Sequence, residues 1–223
     1  MSARNAILAK VRQASGNAGS YPREKDVEDR LNAPPRGIIP ARGQLAVAER
    51  LDLFQTEAER VSAVINRLES LSEVAAAIAD YLRANNLPQR IRTGDDQLLA
   101  AVDWSSQPNL EVLNGPSAGD DEVCVSRATV AIAETGTLVM TSGSDNPTTL
   151  NFLPDHHLVV LMAEDIEGDY EAAFAVLRDK FGKNDLPRTV NFITGPSRSA
   201  DIEQTLLLGA HGPRKLQILL VGR

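Results

Sequence analysis

Apolar positions along the chain fall into two spacings and one long gap. Over residues 44–68, Val47, Leu51, Phe54, Ala58, Val61, Ile65 and Leu68 recur at alternating steps of four and three. That spacing predicts one continuous stripe on a long helix that packs on a flat surface or on a partner helix. A coiled coil is the competing reading, with thin support because opposite charges do not recur at the flanking positions. Ser70 followed by Glu73 has the form of a capping box at the start of a second helix over 71–85, with Leu71, Val74, Ile78 and Leu82 facing the core. Asn86, Leu87 and Pro88 end it.

Further on, the spacing changes to short runs bounded by Gly, Pro and Asp. Residues 90–92 predict a short strand, followed by an acidic turn at Gly94, Asp95 and Asp96, and 98–104 has no clear pattern. Trp104, the only tryptophan, reads as the roof of a pocket or as a partly buried aromatic cover. Residues 122–125, 130–133, 138–140, 157–162, 189–194 and 216–221 read as buried strands, and 170–181 as a helix with Ala173, Phe174 and Leu177 inward, stopped by Gly182 and Pro187. Short, continuously apolar strands separated by helices predict an α/β fold with a mostly parallel sheet covered on both faces. Ligands in such folds usually sit beyond the carboxyl ends of the strands.

The gap lies at the start. A helix over 2–13, with Ser2 as N-cap and Ala6, Ile7 and Val11 on one side, leads into 15–43, where glycines, prolines and mixed charges show no sustained apolar period. This reads as an extended arm that is mobile, held by another subunit in a homo-oligomer, or wrapped on its own domain. The expected division is therefore an N-terminal helix and arm over 1–43 and one main domain over 44–223. At 223 residues and 43% hydrophobic content the chain can bury one substantial core. Its net charge of −7 gives no general attraction to nucleic acid or to an anionic membrane. No apolar stretch approaches the roughly 20 residues that span a bilayer. The first residues lack the apolar core of a secretory signal, so the cytoplasm is the expected location. The single cysteine, Cys124, between two valines, reads as a buried structural thiol and excludes an intrachain disulfide or a cluster ligated by this chain alone.

Candidate chemistry gathers at three turns. Glu134 leaves an apolar run and is followed by Thr135, Gly136 and Thr137. The carboxylate either accepts backbone N–H groups while the threonines tie down the turn, or acts as a nucleophile, base or orienting group at the mouth of a cleft. After the strand 189–194 come Gly195, Pro196, Ser197, Arg198, Ser199 and Asp201. Hydroxyls and a guanidinium there would meet a carboxylate or phosphate near the start of a short helix, or Arg198 would pair with Asp201 or Glu134 as a structural clamp. His211, flanked by glycine-containing turns before the last strand, could reach a cleft as an acid or base. His156 and His157 are adjacent, so on a strand they point to opposite faces and are poorly placed to share a metal; no metal or cofactor motif is read.

The runs IAETGTLVM, LPDHHLVVL, FITGPSRSADIE and LGAHGP, in that order and ending in LQILLV, resemble the lactate utilisation protein C family, also called the LUD domain family, over about residues 45–223. Ser199 stands where that family more often has threonine, which keeps the hydroxyl. The resemblance implies a three-layer α/β/α domain similar to the sugar-phosphate isomerase and CoA-transferase fold. It also implies a part in oxidising L-lactate to pyruvate beside iron–sulfur partner proteins. On that basis the expected role is a non-redox subunit with Glu134 and His211 as catalytic groups around a small carboxylate. The alternatives are a free-standing acyl- or phosphate-transfer enzyme of the CoA-transferase kind, in which Glu134 would attack an acyl group, or a scaffold.

Overall fold

Why the chain forms these elements is clearest from its strands, which alternate large aliphatic residues on both faces and so require cover on both. The computed structural model describes residues 3–14, 23–33, 37–182, 185–199 and 207–222. It divides into two units, Met1–Ile38 and Ile39–Arg223. The first holds α1 (Ala3–Ala14) and α2 (Arg23–Asn32). Ser2 lies outside the described residues. Helix α2, REKDVEDRLN, occupies part of the stretch read as extended; it is almost entirely polar, so no apolar period announced it.

The second unit begins with α3 (Val47–Arg60), β1 (Val64–Leu68), α4 (Val74–Ala84), β2 (Arg90–Thr93), α5 (Gln97–Ala100), β3 (Glu111–Asn114) and β4 (Val123–Arg127). It continues through β5 (Val130–Ile132), β6 (Thr137–Thr141), α6 (Thr149–Phe152), β7 (His156–Met162), β8 (Ile166–Glu167) and α7 (Tyr170–Phe181). It closes with β9 (Val190–Ile193), β10 (Arg198–Ser199), β11 (Leu207–Leu208) and β12 (Lys215–Val221).

Six strands pair in the order β1-β12-β7-β4-β2-β3, every neighbouring pair parallel. On one face, Val74, Ile78 and Leu82 of α4 pack with Leu158, Val160 and Leu219. On the other, Phe54 and Ala58 of α3 pack with Val159, Leu161, Ile218 and Leu220. The fold is α/β with a mostly parallel sheet, as expected. One addition was not foreseen: β8-β5-β6-β9 form a separate four-stranded mixed sheet on the α3 side, whose outer surface carries Ala173 and Leu177 of α7.

The long stripe over 44–68 is not one helix. Helix α3 ends with Ser62 at φ +71, and the Ala63 N–H reaches back to the Ala58 carbonyl. Val64 and Ile65, β-branched neighbours, then enter β1 and pair with β12, so the apolar spacing ran unbroken through a turn. The second helix forms as read, a 3₁₀ turn over Leu71–Glu73 leading into α4, but Glu73 accepts from the Glu69 N–H instead of closing a box with Ser70. Asp96 of the acidic turn caps α5 by accepting from Leu98 and Leu99. Trp104 is a partly buried cover whose indole N–H donates to the Leu99 carbonyl at 2.9 Å. Among the described residues, no helix is long and apolar enough to cross a membrane.

Candidate functional site

Strand β9 ends against the C-terminal turn of α3, and the chain can turn there only because residue 195 is glycine. Gly195 has φ +81, and a Cβ would stand 2.3 Å from the Val61 carbonyl oxygen. Past that turn, the Ser197 N–H donates to the Pro213 carbonyl at 2.9 Å and the Ser197 carbonyl accepts from the Gly209 N–H at 3.0 Å. Its hydroxyl accepts weakly from the His211 N–H at 3.4 Å. Ser197 therefore ties the segment after β9 to the segment before β12, two stretches that the sequence separates by more than ten residues. Arg198 is exposed, and its guanidinium donates to the Val61 carbonyl, one of the C-terminal carbonyls of α3, where a positive charge is favoured.

These two segments form the mouth of a cavity of about 260 Å³. Gly195, Ser197, Arg198 and His211 line it, so four of the sequence-predicted residues converge. Phe152, Phe192, Ile193 and Leu216 supply apolar walls, and Asn151 and His157 lie at the inner end. The cavity borders the carboxyl end of β9 but the amino ends of β7 and β12, since His157 and Leu216 are the second residues of those strands. The expectation of a site beyond the carboxyl ends of the main sheet does not describe it.

Glu134 has a different neighbourhood. It is 5% exposed, its carboxylate accepts from the Tyr170 N–H at 3.4 Å, and its own N–H donates to the Gly168 carbonyl at 3.1 Å. With Asp169 accepting from Ala172, it sets negative charge at the N-terminus of α7, where the helix dipole favours it. Gly136, at φ +63, brings this turn so close to α3 that a Cβ would stand 2.3 Å from the Ala58 nitrogen. Thr135 and Thr137 share a hydrogen bond of 2.7 Å, and Thr137 meets Thr194 at 2.8 Å. Thr194 lines the cavity, so Thr137 joins the Glu134–Thr137 group to its edge, as does Tyr170 stacked on Phe192. The clamp between Arg198 and Glu134 is not formed, each being bonded elsewhere.

Ser199 sits in β10 opposite Leu207 and is not among the lining residues. Asp201 lies outside the described residues, as does most of the short helix read after it; Leu207 and Leu208, its last residues, are strand. Cys124 is fully buried and burial pushes its thiol up to about 12, which fits an inert structural thiol. His156 meets the Tyr81 hydroxyl at 2.8 Å on the α4 side of the sheet, while His157 points to the opposite face.

The sequence reading missed the inner end. His157 is 1% exposed, its Nε2 lies 3.2 Å from the Ser126 hydroxyl, and burial pushes it down to about 3, so it is neutral. The Ser126 hydroxyl donates to Asn151 Oδ1 at 3.2 Å. A signal for His157 was present: Val159 and Leu161, two and four residues on, face the α3 side, and period two carries His157 to that face. Asn151, inside a four-residue helix, offered none.

A family model described as the LUD domain matches residues 51–221. Lactate utilization protein C of Geobacillus sp. (strain WCH70) is 39% identical over 93 residues, 41% of this chain and 39% of that protein. The protein of the same name in Geobacillus kaustophilus is 34% identical over 115 residues, 51% of this chain and 48% of that protein. The chain thus spans less than half the length of these two relatives. A crystal structure of a DUF162 family protein from Deinococcus radiodurans superposes with a TM-score of 0.57 at 24% identity, covering 80% of this chain and 99% of that one, and shares the fold. Because the family match takes in the large sheet from β1 to β12 together with the cavity at its edge, the chain belongs to the LUD domain family.

Proposed function

We propose that the protein is a non-redox component of lactate utilisation that binds a small carboxylate in the cavity between the β9–β10 turn and His211, working beside iron–sulfur partner proteins. The observation that supports the reading is the cavity itself: apolar walls lined on the exposed side by Ser197, Arg198 and His211. A volume of about 260 Å³ suits a molecule of a few heavy atoms. Because the chain carries a net charge of −7, an anion is drawn by local donors and not by the overall field, and Arg198 is the strongest of these. Lactate is the carboxylate that the relatives' names point to. A lone buried cysteine supplies too few thiolates for an iron–sulfur cluster, which supports a reading in which partners carry the electrons.

Isothermal titration of the full chain with sodium L-lactate tests the reading. Binding is expected, and Arg198→Ala is expected to weaken it by about tenfold or more, the scale of a hydrogen bond to a charged group. Absence of heat with the wild-type chain would overturn the assignment. For the partners, affinity purification from cells grown on lactate is expected to bring down cluster-bearing proteins that cells grown without lactate do not yield.

A further inference from the structure

The inner end of the cavity holds a polar group whose hydrogen bond is left open. Asn151 is 1% exposed and lines the cavity; its Oδ1 is taken by the Ser126 hydroxyl, and its Nδ2 has no hydrogen-bond partner among the described residues. A buried N–H without an acceptor is destabilising, so one kept beside a cavity calls for an acceptor that the protein does not supply. The Ser126 contact sets which way the amide faces: its oxygen lies against the hydroxyl. Ser126 has one hydroxyl proton, which goes to Asn151, so the contact between Ser126 and His157 Nε2 needs the proton of the imidazole. His157 is neutral because it is buried, and a neutral ring has one N–H, which Ser126 then occupies. In this arrangement Ser126 holds the Asn151 oxygen and the N–H₂ is left without a partner among the described residues.

We propose that Asn151 is a specificity-determining residue: its amide, held by Ser126, donates a hydrogen bond to an uncharged oxygen, hydroxyl or carbonyl, on the ligand carbon next to the carboxylate. This rests on the reading of the cavity as a carboxylate site. The division of polarity along the cavity supports it. Arg198, a cation, and His211 stand exposed at the mouth, whereas the buried lining offers a neutral imidazole, His157, and a neutral amide, Asn151. A second carboxylate there would lose its hydration without a cation to replace it, while a neutral oxygen accepts from the amide at little cost. Small monocarboxylic acids with an oxygen-bearing carbon are the class that satisfies both ends, and an acid with only a hydrocarbon tail leaves Asn151 unpaired.

Propanoate, L-lactate and pyruvate, titrated separately into the full chain by calorimetry, read this directly, since the three share a carbon count and differ in the inner oxygen. L-Lactate and pyruvate are each expected to bind about tenfold more tightly than propanoate, the value of one satisfied hydrogen bond. Asn151→Ala is expected to bring the three affinities within about twofold of one another while propanoate binding is kept, and Ser126→Ala to narrow the preference with Asn151 still present. Equal affinities of the wild-type chain for all three would overturn the role of Asn151 and leave the carboxylate site standing. A preference for L-lactate without one for pyruvate would overturn its assignment as a donor, because a carbonyl can only accept. Binding of none of the three would overturn the inference together with the reading under it. Should either variant fail to fold, the wild-type ranking alone decides.

Discussion

The turn from β5 to β6 and the turn after β9 lie side by side, joined by Thr137 and Thr194, and both press a glycine against the end of α3, Gly136 on Ala58 and Gly195 on Val61. They use the same kinds of residue to different ends. In the first, the Glu134 carboxylate holds the start of α7, while Thr135 and Thr137 bond to each other. In the second, Ser197 stitches two segments together through its backbone, which leaves its side chain, Arg198 and His211 around an open cavity. Polar residues beside a glycine turn therefore say little until their partners are known. In the first turn the Glu134 carboxylate is spent on α7; in the second, Arg198 and Ser197 keep single contacts, to the Val61 carbonyl and from the His211 N–H, while still lining the cavity.

The largest effects should come where the two turns are alike. Gly136→Ala and Gly195→Ala each place a Cβ 2.3 Å from α3 backbone atoms at a positive φ, and each is expected to cost about 4 kcal/mol of stability from overpacking and left-handed strain together. Denaturant midpoints at unchanged slope measure this; a loss under about 1 kcal/mol at one glycine would break the likeness.

Next comes pH. Burial depresses His157 to about 3, far below its unfolded value of ~6.5, so between these limits the unfolded chain takes up a proton that the folded chain refuses. Stability present above pH ~6.5 is expected to fall as pH drops, by about 2 kcal/mol at pH 5, and His156, also depressed by burial and by Lys215, acts in the same direction. Denaturation curves at pH 7 and pH 5 check this, with His157→Gln flattening part of the slope.

Smaller effects should separate the turns. Glu134→Gln keeps an acceptor for Tyr170 but loses the charge at α7, so about 1 kcal/mol of stability goes and L-lactate affinity stays. A tenfold loss of affinity would return Glu134 to the site. Arg198→Ala is the reverse case. Its exposed contact with Val61 is worth under about 1 kcal/mol in thermal unfolding, while L-lactate affinity falls.

Much of this was legible in the residues. Continuous apolar runs marked β4, β7 and β12 because strands buried on both faces leave no room for alternation, and the inward residues of α4 and α7 follow from period 3.6. The break between α3 and β1 was hidden because Val61, Ile65 and Leu68 continue a helical spacing through Ser62, and only pairing with β12 makes Val64 and Ile65 a strand. The runs of β5, β6 and β9 show that strands exist but not which sheet they join, since that depends on partners distant in sequence. At the site, the residues that carry charge or sit beside glycine were found. Asn151 was not, because its place depends on Ser126 and His157, which come from two different strands, β4 and β7.

Which of the two adjacent turns meets the ligand is decided by a crystal structure of the protein grown with sodium L-lactate. The expected result is lactate in the cavity with its carboxylate against Arg198, His211 and the Ser197 hydroxyl. Lactate bound beside Glu134 with the cavity left to solvent, or at neither turn, would contradict the division between them.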